Sequence, residues 1–175
     1  MPRSSRHLTT MSFFSIVGIA LFVLESFIPM PLPFLKIGLA NVSTLLALYT
    51  FGLTDVLIIV LIRVVAGSLL VGSIFSPGFL LAFAGGVSSA LVMSALKRMT
   101  GDLFSIFGIS LVGAFVHVIA QMFIVVLLFV QSTAVLILFP MLLSSALIGG
   151  TVVGWIAVRL HQILERMGSF IPRAF

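Results

Sequence analysis

The stretch VLIIVLIRVVAGSLLVG (Val56–Gly72) holds a single charged residue, Arg63, in an otherwise apolar run. Such a run reads as a membrane helix. At the centre of a bilayer a charged side chain costs about 2.5–3.5 kcal/mol on insertion scales, and more on an isolated helix. A residue of this kind faces a bundle interior or a watery cavity and has a partner there. What partner Arg63 takes is the question on which fold and function both turn.

Composition agrees with a membrane setting. Of 175 residues, 61% are hydrophobic and 7% charged, and the mean hydropathy is +1.39. A soluble domain carries about 25% charged residues, so this chain is an integral membrane protein whose apolar runs cross as helices. Its length allows one bundle over residues 1–175, with no separate soluble domain. The absence of cysteine excludes disulfides, thiol chemistry and a Cys-based metal site. The net charge of +5 does not imply nucleic acid, because the basic residues lie at helix ends, where membrane orientation accounts for them. The start MPRSSRHLTT is charged like a signal peptide, but the apolar run behind it contains Glu25 and no small-residue cleavage site, so it reads as a retained first helix.

Six spans are predicted, at about 11–28, 36–51, 55–71, 79–96, 103–130 and 135–164. Proline at 29, 31 and 33 ends the first, because proline removes backbone donors and disfavours helix before it. The second and third are shorter than the usual span of about 20 residues. Short spans indicate either shifted boundaries or broken helices that line a cavity. With six spans the termini share a side, which holds Arg3, Arg6, Lys97, Arg98, Arg159, Arg166 and Arg173, whereas the opposite loops hold only Lys36. Positive charge marks the cytoplasmic face, so both termini are expected inside. The loops 29–35, 72–78 and 130–136 then lie outside. Small residues crowd the fourth and sixth spans, including Ala146-x-x-x-Gly150-x-x-x-Gly154. That spacing allows close helix packing, within the bundle or against another membrane subunit.

Polar groups within the spans are few: Glu25, Lys36, Asn41, Arg63, His117 and Gln121. His117 and Gln121 are four apart and share a face with Ser110 and Gly113. Under the expected topology all six lie in the middle or outer half. Lys36 could instead snorkel to the interface, Glu25 could pair with Lys36, and His117 with Gln121 could serve as packing glue. If Glu25 pairs with one cation, another is left over. A small anionic or polar molecule entering from outside is a plausible counterion, and the six residues are the candidate binding set.

Enzyme signatures are missing. There is no aspartate-rich pair for magnesium pyrophosphate chemistry, no Walker lysine, no HExxH, no CxxC and no GxSxG. Asp55 and Asp102 lie in expected inner loops and read as helix caps. No metal or cofactor is implied, and any active transport must draw its energy from a partner or an ion gradient.

Four motifs carry a resemblance: K-x-G-L-A-N at Lys36–Asn41, R-x-x-x-G-S-L at Arg63–Leu69, S-P-x-F-L-L at Ser76–Leu81 and H-x-x-x-Q at His117–Gln121. With the sequence around them, from about residue 12 to 160, they closely resemble the bacterial family called Gx transporter family or heptaprenyl diphosphate synthase component I. That family is in turn similar to the substrate-binding S components of energy-coupling factor (ECF) transporters. The resemblance implies a six-helix protein of the bacterial inner membrane that captures a vitamin or metabolite from outside. It also implies docking to a transmembrane T component driven by ATPase subunits, and a pocket gated by the loop between helices one and two, here Pro29–Leu35. Helix one departs from the pattern: Ser12, Ser15, Gly18 and Ala20 do not form the Ala-x-x-x-Ala docking face of many S components. The synthase name implies chain elongation, for which this chain lacks the aspartate-rich motifs.

The sequence therefore predicts an all-α, six-span S-component-like bundle that binds a small molecule and is not an enzyme. The alternative from another class is a non-transporting membrane subunit or scaffold of a redox, quinone-linked or isoprenoid-related complex.

Overall fold

The computed structural model describes residues 5–28, 38–101, 103–130 and 137–166. Its elements are all helical: α1 (Ser5–Ser26), α2 (Asn41–Thr50), α3 (Leu53–Val71), α4 (Pro77–Thr100), α5 (Ile106–Ile124) and α6 (Phe139–Arg166), with a π-helical stretch, Val125–Val130, continuing α5. Five of them, all except α2, are long and apolar enough to cross a membrane. The chain is a multi-pass membrane protein. Lys36, the loop 29–35, the segment 131–136, Asp102, Arg3 and Arg173 lie outside the described residues.

Helix ends follow local chemistry. α3 stops at Gly72, whose φ of 72° is left-handed, while Ser73 N–H bonds back to Ser68 O at 2.8 Å. α4 starts with Pro77 in its first turn and a Ser76 hydroxyl that accepts from Phe79 N–H at 3.2 Å. Ser105 caps α5 in the same way, accepting from Gly108 N–H at 3.2 Å.

Three expectations are corrected. α1 begins at Ser5 rather than near residue 11. α3 begins at Leu53 behind Gly52, so Asp55 lies in its first turn and is not the cap. The Asp55 carboxylate instead stands 3.1 Å from His7 Nε2 on α1. The third correction concerns α2, which starts at Asn41 after a turn at 38–40, not at Lys36. Its 10 residues rise about 15 Å, half a bilayer core. Eight of the ten are buried, with α1, α3, α4 and α6 packed around them. α2 is thus a short helix inside protein, where neighbouring helices replace the lipid.

Small residues set the packing of the second half. A Cβ added at Gly150 would stand 2.9 Å from Ala114 Cβ, and one at Gly154 would stand 2.9 Å from the Phe107 ring. The backbones of α5 and α6 therefore approach closely, and Ser110 Oγ donates to Gly150 O at 2.9 Å. The Ala146-Gly150-Gly154 row is packed within the bundle, not displayed outward.

Contacts sort the helix termini into two ends. His7 of α1 meets Asp55 of α3 and stacks edge-on to Phe51 at 5.0 Å. Lys97 near the end of α4 donates to Leu48 O of α2 at 2.9 Å and lies 3.9 Å over the Tyr49 ring. Tyr49 is 5.4 Å from the ring of His161 on α6. One end of the bundle therefore gathers the start of α1 and α3 and the finish of α2, α4 and α6. Arg6, Lys97, Arg98, Arg159 and Arg166 all lie on helices toward that end.

Candidate functional site

α3 buries Val56, Ile59, Val60, Arg63, Val64, Gly67 and Ser68, a spacing of three and four that marks one helix face. Arg63 belongs to that inward stripe and is 2% exposed. Two glycines clear its path. A Cβ at Gly18 of α1 would stand 3.1 Å from Arg63 Cδ, and one at Gly86 of α4 would stand 3.1 Å from Nη2. The tip then meets α2, where Nη1 donates to Asn41 Oδ1 and to Thr44 Oγ1, each at 3.1 Å. Both acceptors are neutral. Among the described residues Nε has no hydrogen-bond partner, and no carboxylate is ion-paired with the guanidinium.

Glu25, in the last turn of α1, is also buried. It accepts a hydrogen bond from Gly38 N–H, just ahead of α2. Gly38 has a φ of 82°, a conformation that glycine adopts without strain. The His117 ring of α5 rests on α4 where Gly85 lacks a side chain, since a Cβ there would stand 2.8 Å from Nε2. Gln121 follows one turn later on the same face of α5.

These groups surround one cavity of about 30 Å³, lined by Phe22, Glu25, Gly38, Ala40, Asn41, Arg63, Val64, Gly78, Leu81, Ala82, His117 and Gln121. A volume of about 10–15 Å³ on this scale holds one water, so the space fits about two. The cavity lies between the last turn of α1, the first of α4 and the later part of α5, away from the basic end. Of the six residues expected from sequence, Glu25, Asn41, Arg63, His117 and Gln121 line the cavity, and Lys36 falls outside the described residues. Sequence reading missed Thr44, Gly18, Gly85 and Gly86. Thr44, one turn after Asn41 on the same face of α2, could have been found by spacing. The glycines gave no such signal, because what matters is the side chain of a neighbour.

A guanidinium held by neutral acceptors beside an open volume is suited to receiving an anion or a polarised carbonyl. Arg can present two parallel N–H groups to a carboxylate or phosphate. Among the described residues, no group of three His, Asp or Glu is placed to hold a metal ion.

The sequence profile of the family described as heptaprenyl diphosphate synthase component I matches residues 14–160. The chain belongs to this family. Its fold is similar to a solved structure described as the S component of a bacterial ECF transporter, with a TM-score of 0.74 and 21% identity over 93% of this chain and 96% of that one. None of the curated proteins matches it. The expected S-component fold is therefore the observed one.

Proposed function

We propose that this family member is the substrate-binding membrane subunit of a transporter, and that it captures a small polar or anionic molecule at the outer face of a bacterial inner membrane. The observation that carries this reading is Arg63, buried among four helices and bonded only to neutral acceptors beside a cavity. A buried charge is costly unless paired, and a captured anion supplies the pair. Supporting the outer face, the cavity lies opposite the end that gathers Arg6, Lys97, Arg98, Arg159 and Arg166, and basic residues mark the cytoplasmic side. Asn41, Gln121 and His117 would orient the ligand through hydrogen bonds. A ligand pocket usually measures about 300–1,000 Å³, so the cavity of about 30 Å³ would have to widen as a ligand enters. Energy for delivery would come from a T component with ATPase subunits.

The test is depletion of metabolites from the medium by cells expressing the chain with and without ECF T and ATPase subunits. Loss of a polar or anionic metabolite that requires both the chain and Arg63 is the expected result. Equal depletion by cells carrying Arg63→Ala would overturn the reading and favour a scaffold subunit.

A further inference from the structure

We propose that the captured molecule is bipolar: it places an anionic group on Arg63 and a positively charged nitrogen on Glu25, at two walls of the same cavity. This rests on the capture function and narrows its substrate class.

Both side chains are almost wholly buried, Arg63 at 2% and Glu25 at 5% exposed, and both line the cavity. A structural ion pair would close to contact, yet none forms between them. The protein holds each in place separately. Arg63 is anchored by Asn41 and Thr44 and flanked by Gly18 and Gly86. Glu25 is fixed by Gly38 N–H and, among the described residues, accepts no second hydrogen bond. The described cavity wall thus carries one acidic and one basic group that do not close into an ion pair.

That arrangement selects against a simple anion. An anion on Arg63 would share a cavity of about 30 Å³ with the Glu25 carboxylate and be repelled by it. A simple cation on Glu25 would meet Arg63 in the same way. A molecule bearing both charges satisfies each wall and leaves neither charge buried alone. Nη1 is taken by Asn41 and Thr44, so the remaining guanidinium N–H groups are the donors left for the ligand's anionic group.

The experiment uses the full chain in lipid nanodiscs, titrated calorimetrically with 4-aminobutyrate, butyrate and butylamine, which share one carbon skeleton and differ in charge. The expected order is 4-aminobutyrate at least tenfold tighter than either single-charge probe. Glu25→Gln should bring 4-aminobutyrate down to the level of butyrate, while Glu25→Asp keeps the preference. If wild-type protein binds butyrate as tightly as 4-aminobutyrate, the bipolar assignment falls and the anion-capture reading stands. If no probe binds wild-type protein, both fall. Should Glu25→Gln not fold, the order of the three probes on wild-type protein decides alone.

Discussion

Arg63 acts through three kinds of neighbour: acceptors that hold its tip, glycines that admit its stem, and a cavity at its side. Each can be removed separately. Truncating one member of a buried charge pair costs about 2–5 kcal/mol, so Arg63→Gln should weaken ligand binding by roughly 30-fold or more. Asn41→Ala should weaken binding less, because Thr44 still accepts from Nη1. Titration of purified variants with the ligand found by depletion checks this order, and equal losses would contradict it. Gly86→Leu should cost about 1–3 kcal/mol by overpacking, since even a Cβ there stands 3.1 Å from Nη2 and 3.2 Å from Val60. Its denaturation midpoint should fall by more than that of Gly52→Leu, where nothing lies within 4 Å of an added Cβ. The charged and amide residues of the site were legible in sequence because each interrupts an apolar run. Thr44 and the glycines were not. A threonine is common in membrane helices, and a glycine's role depends on which side chain another helix sends over it.

Among the elements, α2 shows where hydropathy runs out. Its sequence, NVSTLLALYT, is as apolar as that of a lipid-facing helix, yet eight of its ten residues are covered by protein. Lipid and protein interior are alike to an apolar side chain, so the expected span 36–51 and the observed helix Asn41–Thr50 differ for a reason composition does not carry. The same likeness hides the inward faces of α3 and α5, and only Arg63, His117 and Gln121 reveal them. Lys97 ties the last turn of α2 to α4 through Leu48 O. Lys97→Met should therefore loosen the end of α2, read as faster amide hydrogen exchange at residues 48–51, with exchange in α5 unchanged. At the α5–α6 contact, Ser110→Ala removes one interhelical hydrogen bond, worth about 0.6 kcal/mol on average in membrane proteins. Gly150→Leu, which would push against Leu111 and Ala114, should cost several times more in the same unfolding assay.

For the whole molecule, the sorting of basic residues to one end was visible in the sequence, and the helix contacts bring that end together. By the positive-inside rule we propose that this end faces the cytoplasm. Because the chain has no cysteine, single cysteines report topology cleanly. Ser5→Cys and Glu165→Cys should be shielded from an impermeant thiol reagent in intact cells, and Phe75→Cys, 84% exposed in the α3–α4 turn, should be labelled. The reverse pattern would place the cavity on the cytosolic side. The most direct check of a guanidinium awaiting its counterion is native mass spectrometry of the full chain released from nanodiscs after expression in cells. Wild-type protein should carry a discrete small-molecule mass that Arg63→Gln lacks at unchanged helix content; a wild-type chain free of any adduct, or a variant that keeps it, would contradict capture at Arg63.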